Sequence, residues 1–385
     1  MKKIIFLTGT RADFGHLKSL IDICEKSDLY EVFIFATWQH KKIKLEKFHY
    51  INTIDEIKKY GYKNVFEDKN KYDINETMDI ILSEIIQSFS NKVKKIKPDL
   101  IIIFSDRVEQ LAGAIVGFLN NILTVQIEAG DISGTIDESI RHAITKLCHA
   151  HFVSNQIAKQ RVIQMGENEN NIFRIGTPGL DVIYKKNLPD LESVKKRYGI
   201  FFKNYSILSF HPVVTEQNQI VKQANVLIDV ILKSKLNYII IYPNRDHGFQ
   251  LILEAYKRVQ YYQKMKFYSH LKFMDYLILL KNADFIIGNS SSGIIEAPCF
   301  AVPTINIGTR QNNRSSNSNI INCNINKKDI LSAIKTVSNC EIEKTNEFGE
   351  GKSAELFLKI LNSEKFWKIK KQKQFNQIKI SNGKN

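Results

Sequence analysis

Leu123-Thr124-Val125-Gln126-Ile127-Glu128-Ala129-Gly130-Asp131-Ile132-Ser133-Gly134-Thr135-Ile136-Asp137-Glu138-Ser139-Ile140-Arg141-His142-Ala143 decides how this chain is read. Leu123 to Ile127 is an apolar run that reads as a buried strand. Carboxylates, an arginine and a histidine follow it at once. In open α/β sheets ligands bind beyond the carboxyl ends of parallel strands, so acids gathered there are placed for chemistry rather than for solubility. Glu128 ends the strand and is followed by Ala129-Gly130, with no helix for it to cap. Thr135 and Glu138 have the spacing of a capping box, which makes Glu138 a structural residue. Asp137 lies in the first turn of the same helix and reads either as a partner of the helix dipole or as a functional acid.

Outward from this stretch, strand-like runs alternate with amphipathic ones, as βαβ units do. One set comprises Ile4–Leu7, Val32–Ala36, Leu100–Phe104, Leu123–Ile127, His151–Val153 and Ile172–Ile175; a second comprises Ile207–Phe210, Tyr238–Tyr242, Phe285–Ile287 and Thr304–Ile307. Between them, Thr177-Pro178-Gly179 and a charged helix-like piece, Leu191–Tyr198, mark a junction. The expected fold class is α/β, with two Rossmann-like domains facing a cleft. The expected boundaries are 1–180 for the N-terminal domain, 181–204 for a linker, 205–362 for a C-terminal nucleotide-binding domain and 363–385 for a basic helix or tail.

With 385 residues, 43% hydrophobic and 25% charged, the composition is that of a soluble globular protein. The apolar segment Ile4 to Leu7 is too short for a signal peptide, no apolar run approaches membrane-spanning length, and a cytoplasmic location is expected. The five cysteines lack metal-ligand spacing and read as free thiols of a reducing compartment. The net charge of +15 comes mostly from scattered lysine. No RRM, KH or zinc-finger pattern accompanies it, so neither nucleic acid nor membrane is an expected partner. A solvated surface, or a field attracting a phosphate-bearing substrate, explains the excess.

Other strand ends carry further candidates. Ile4–Leu7 runs into Thr8-Gly9-Thr10-Arg11-Ala12-Asp13-Phe14-Gly15, where Arg11 suits a phosphate clamp and Asp13 reads either as a ligand contact or as a helix cap paired with Arg11. Asp106 and Arg107 follow Leu100–Phe104, Asp106 having a helix cap as its alternative reading. His211 stands at the end of Ile207–Phe210, stopped by Pro212, and Asn244, Arg245 and Asp246 stand similarly after Tyr238–Tyr242. Phe285-Ile286-Ile287-Gly288-Asn289-Ser290-Ser291-Ser292-Gly293-Ile294-Ile295-Glu296 leads a strand through a Gly/Ser turn into a short helix. Its N–H groups and hydroxyls suit phosphate oxygens, and its carboxylate suits a ribose diol. Arg310 ends the next strand.

Taken in order, Thr10-Arg11-Ala12-Asp13, Ser105-Asp106-Arg107, Ser133 to His142, His211-Pro212, Gly288-Asn289-Ser290-Ser291, Gly308-Thr309-Arg310-Gln311 and Phe348-Gly349-Glu350-Gly351 resemble the hydrolysing UDP-N-acetylglucosamine 2-epimerases of sialic-acid biosynthesis. They also resemble the related enzymes acting on nucleotide-linked di-N-acetylbacillosamine, which feed legionaminic acid. The resemblance runs from Lys3 to about Leu361. It implies a GT-B-like fold, a homo-oligomer (dimer or tetramer), no cofactor and no metal. It also implies that Asp106, Glu128 and Asp137 are catalytic carboxylates. Arg11, Arg107, His211, Ser290, Ser291, Glu296 and Arg310 fall on nucleotide contacts, and Asp13, His142 and Asn244 are counted with them. The family's usual HIEGGE reads Gln126-Ile127-Glu128-Ala129-Gly130-Asp131 here, and its glycine-methionine before His40 reads Trp38-Gln39. These departures are expected near the sugar.

The implied reaction converts a nucleotide-linked N-acetylhexosamine, UDP-N-acetylglucosamine first, into the free 2-epimer and a nucleoside diphosphate. Glu128 and Asp106 both remain candidates for the base. The rivals are a GT-B glycosyltransferase, a binding protein without catalysis, and a non-hydrolysing 2-epimerase, whose usual continuation after Glu128-Ala129-Gly130 is absent.

Overall fold

The structure, a computed structural model, describes residues 1–40, 43–45, 48–50, 53–70, 76–184, 188–337 and 342–377. Cys340, the segment after His40 in part, and the last residues of the basic tail lie outside the described residues. The strands of the first half are β1 (Lys2–Thr8), β2 (Tyr30–Ala36), the small hairpin β3 (Ile43–Leu45) and β4 (Phe48–Tyr50), β5 (Val65–Glu67), β6 (Leu100–Phe104), β7 (Leu123–Ile127), β8 (Ala150–Val153) and β9 (Ile172–Arg174). Those of the second half are β10 (Ser206–Ser209), β11 (Tyr238–Ile241), β12 (Met265–Tyr268), β13 (Ile286–Gly288), β14 (Thr304–Ile307) and β15 (Ile320–Cys323).

A seven-stranded sheet has the order β5-β2-β1-β6-β7-β8-β9, and a six-stranded sheet has the order β12-β11-β10-β13-β14-β15. Every pairing within both is parallel. The central strands are wholly buried apolar runs because helices cover both faces. In each sheet the chain order reverses beside the first strand, between β1 and β6 and again between β10 and β13. Loops leave in opposite directions at such a switch point, which opens a crevice at the strand ends.

All ten strand-like runs read from the sequence are strands. Five strands were missed: the small hairpin of β3 and β4, and the outer strands β5, β12 and β15, which are short, only partly buried and give no apolar run. The domain limits need correction. The helix Leu191–Tyr198 is no free linker, since Val194 packs in the core beneath the second sheet and Arg197 and Tyr198 bind Asp275. The helix Ser353–Leu361 leaves the second half. Phe357, Leu361 and Phe366 pack on the first sheet with Phe152 and Ile175, because that sheet has an uncovered apolar face beside the helix Arg11–Glu25. Asp181 accepts the Ser353 and Ala354 N–H groups at 2.8 Å each, capping the returning helix.

Both tryptophans, Trp38 and Trp367, lie in the first half, so tryptophan fluorescence reports on its unfolding. Phe357→Ala is expected to cost about 3–5 kcal/mol and to move the urea midpoint of that signal downward. An unmoved midpoint refutes the assignment of this helix to the first core.

Candidate active site

Two residues at strand ends set the local geometry. Ser105 after β6 and Glu128 after β7 both take left-handed backbone angles, each with φ of 61°. For residues with a Cβ this costs about 1–3 kcal/mol and persists only where packing imposes it. The chain thereby turns sharply as it leaves each strand, and Asp106, Arg107 and Glu128 line one cavity of about 90 Å³ together with His16, Asp137, Asn244, Ser291, Arg310 and Arg314. A neighbouring cavity of about 130 Å³ is lined by Arg11, His211, Ser290, Glu296 and Arg310, among others. His16, Asn244, Ser291 and Arg310 belong to both walls. The two cavities sit between the switch points of the two sheets.

The first cavity is acidic but unevenly so. Asp106 is gripped by Arg141, which is fully buried and also donates to the Asp131 carbonyl at 2.9 Å. Asp106 is therefore no helix cap; Arg107 occupies that position. Asp137 lies 3.9 Å from Arg310. Glu128 is 3% exposed, and its Oε1 meets no hydrogen-bond donor among the described residues. Burial, then the nearby Asp131, push its carboxyl up to about 8, against the opposing pull of Arg314.

The second cavity is built by β10, β11 and β13. Gly288 has φ of 132°, and a Cβ there would stand 2.0 Å from the Ser209 carbonyl, so only glycine lets β13 enter its turn here. His211 accepts the Asn244 N–H on Nδ1 at 3.0 Å, and burial lowers its imidazole to about 3. The neutral ring thus carries its proton on Nε2, a donor beside Ser209. Glu296 is 2% exposed, and burial raises its carboxyl to about 7. Arg11 donates to the Ser269 carbonyl at 3.2 Å, and Arg310 to the Asn289 carbonyl at 3.1 Å.

Some expectations need revision. Asp13 does not pair with Arg11 and its carboxylate is saturated, accepting Gly9 N and Thr10 N at 3.0 Å and Thr10 Oγ1 at 2.7 Å. It organises the loop in a capping box rather than offering oxygens to a ligand. His142 lines neither cavity. Arg141 points inward, so its neighbour lies about 100° round the helix, where it pairs with Glu138 at 3.8 Å. The Thr135–Glu138 box is incomplete, since Glu138 accepts the Ser133 N–H at 2.6 Å instead of reaching Thr135. Trp38 and Gln39 bind Glu109 behind Arg107, Gln126 bonds inward to Ser105, Arg141 and Thr145, and Ala129 packs against Val153. Of those departures only Asp131 reaches the acid cluster.

Two residues, His16 and Arg314, were missed. His16 stacks on Phe104 at 5.2 Å with Nε2 3.6 Å from Glu296; its only sequence signal is the four-residue spacing from Ala12 on one helix face. Arg314 pairs with Asp131 at 3.1 Å from the opposite half. Asp246 holds Arg107 at 2.7 Å, with Glu109 at 3.3 Å on the same guanidinium. Among the described residues no cluster of three or more His, Cys, Asp or Glu side chains has the form of a metal site. Cys24, Cys148, Cys299 and Cys323 are free thiols. No helix of the described residues is long and apolar enough to cross a membrane.

Two parallel α/β domains with their switch points turned to one cleft define a GT-B-like protein, and solved structures agree. A Neisseria meningitidis UDP-GlcNAc 2-epimerase bound to UDP-GlcNAc superposes with a TM-score of 0.79 at 15% identity, covering 93% of this chain and 99% of that one. A Methanocaldococcus jannaschii UDP-GlcNAc 2-epimerase, in complex with UDP-GlcNAc and UDP, gives 0.77 at 22% identity, covering 94% and 99%. The chain belongs to the UDP-N-acetylglucosamine 2-epimerase family, whose model matches residues 24–362. A UDP-N-acetylglucosamine 2-epimerase of Neisseria meningitidis serogroup B is 39% identical over 99% of this chain and all of its own length. The hydrolysing UDP-N,N'-diacetylbacillosamine 2-epimerase of Legionella pneumophila is 34% identical over 94% of this chain and 96% of its own.

The Arg141–Asp106 pair yields a stability test. Arg141→Met strands a carboxylate and the Asp131 carbonyl, and is expected to cost about 3–5 kcal/mol. Asp106→Asn leaves the fully buried Arg141 charge uncompensated and is expected to cost a similar amount. An unmoved urea midpoint in either variant contradicts the pairing.

Proposed function

We propose that the chain is a hydrolysing 2-epimerase that converts UDP-N-acetylglucosamine to free N-acetylmannosamine and UDP. The observation that carries this reading is Glu128: a buried carboxyl, raised to about 8 and short of donors, in a cavity next to a cation- and serine-lined one. Asp106 is committed to Arg141, which occupies its carboxylate. Of the two candidates this reading therefore takes Glu128 as the base, its Oε1 being buried and without a donor among the described residues.

The Glu128 carboxylate takes the C2 proton. The C2–H electron pair becomes the C1–C2 double bond, and the C1–O bond breaks with its pair leaving on UDP. Positive charge developing at C1 is stabilised by Asp106 and Asp137. Water then adds across the double bond, a proton to C2 on the opposite face and hydroxide to C1, releasing the free 2-epimer. Arg11, Arg107, Arg310, Ser290, Ser291 and the Nε2–H of His211 hold the diphosphate, while Glu296 takes the ribose hydroxyls. The same steps on UDP-N,N'-diacetylbacillosamine are a second reading, supported by the 34% identical relative.

Purified protein given UDP-N-acetylglucosamine without acceptor is expected to release UDP and free sugar, with deuterium at C2 when the solvent is D₂O. A product still linked to UDP assigns the chain to the non-hydrolysing class, and a requirement for an acceptor assigns it to the glycosyltransferases. Glu128→Gln is expected to lower turnover by roughly two to four orders of magnitude. Because the base must be ionised and burial raises its pKa, kcat/KM of the parent rises with pH and levels off above about 8. Wild-type turnover in Glu128→Gln refutes the assignment.

For the nucleotide, Glu296→Ala is expected to weaken UDP binding by about 1–3 kcal/mol in calorimetry, through loss of charged hydrogen bonds. Unchanged affinity puts the ribose elsewhere.

A further inference from the structure

Arg11 belongs to the first half, whereas His211, Ser290 and Ser291, with which it shares the nucleotide cavity, belong to the second. A long side chain that meets a ligand across a cleft loses rotamer freedom when it binds, unless its head is already fixed. The groups that fix it come from the second half. Gly15 lies one turn after Arg11 on the same face of the helix Arg11–Glu25. Having no side chain, it lets the Phe273 ring lie against the helix, where a Cβ on Gly15 would stand 3.1 Å from that ring. The residues just before Phe273 are thereby brought to the guanidinium. Arg11 Nη1 donates to the Ser269 carbonyl at 3.2 Å and lies 3.2 Å from His270 Nδ1. The other edge of the same imidazole returns to the first half, with Nε2 3.0 Å from Glu56 Oε2 in the helix Ile54–Lys59.

The two neighbours decide how the ring works. A guanidinium has donors only, so His270 Nδ1 is the acceptor of the Arg11 contact. The ring proton is then on Nε2, where the Glu56 carboxylate accepts it. The other tautomer would point an N–H at the guanidinium and a lone pair at the carboxylate, which is unfavourable at both ends. We propose that His270 is a positioning residue for Arg11, its tautomer held by Glu56: one imidazole of the second half, set between two charged side chains of the first, aims the guanidinium at the diphosphate. The proposal rests on the reading of Arg11 as a diphosphate contact. His270 is on the wall of neither the nucleotide nor the acid cavity, so it acts on UDP through Arg11 and not by touching it.

The test is UDP affinity, measured by calorimetry on two amide variants. The side-chain oxygen of asparagine reaches the place of Nδ1 but not that of Nε2, whereas the amide of glutamine reaches Nε2 and leaves nothing for Arg11. His270→Gln is expected to weaken UDP binding about tenfold, as the loss of a hydrogen bond to a charged group does. His270→Asn is expected to stay near the parent. A residue that only joins the two halves gives the reverse order, since glutamine keeps the Glu56 contact, and that order overturns the proposal. Repeating the measurement in Arg11→Met adds a second readout. With no guanidinium left to aim, His270→Gln is expected to cause no further loss; an equal loss in both backgrounds overturns the proposal. UDP affinity unchanged in Arg11→Met alone is a distinct result: it overturns the reading of Arg11 as a diphosphate contact, and the proposal with it. Should His270→Gln not fold, Glu56→Leu, which frees the tautomer, is compared with Glu56→Gln, which keeps an acceptor for the Nε2–H. The first is expected to weaken UDP binding and the second is not, and equal affinities overturn the proposal.

Discussion

Four arginines meeting carboxylates around one cleft are the constraint on which the rest of this molecule depends. Arg141 holds Asp106, Arg107 lies between Glu109 and Asp246, Arg310 faces Asp137, and Arg314 meets Asp131. Such pairs lose hydration when buried and return little net stability. Their value is geometric: a guanidinium in a low-dielectric wall accepts one arrangement of carboxylates and rejects the others. Three of the four pairings tie the first half to the second, so the register of the two sheets across the cleft is set by charge. Glu128 is left out of this pairing. A carboxyl without an arginine of its own inside such a network is, on the proposed reading, the group left to exchange a proton with the substrate.

Much of this was legible in the chain because strand ends are. An apolar run that stops on a charged or hydroxylated residue marks both the strand and the edge of the sheet, and Asp106, Glu128, His211, Ser290 and Arg310, singled out that way, all line the two cavities. What could not be read is orientation within helices and reach across the cleft. Arg141 and His142 are adjacent in sequence, but the helix buries one and turns the other outward. Asp13 sits in the right loop, yet its oxygens are consumed by the loop's own N–H groups. Arg314 meets its partner Asp131 only because the other half brings that charge to it, and no local pattern carries that. The return of the helix Ser353–Leu361 to the first core was hidden for a related reason: its apolar face fits either sheet, and only packing chooses.

Under the hydrolysing reading, the same charge pairing also bears on why the nucleotide leaves. On that reading, the outcome turns on whether the expelled diphosphate is held long enough to add back before water does. Here Arg107 is already claimed by Glu109, fully buried, and by Asp246. A departing diphosphate must share that guanidinium with two carboxylates, which weakens the grip at the point where its new charge develops. On the proposed reading, a guanidinium shared in this way would retain UDP less firmly than an unencumbered one and would give water the time to add to C1.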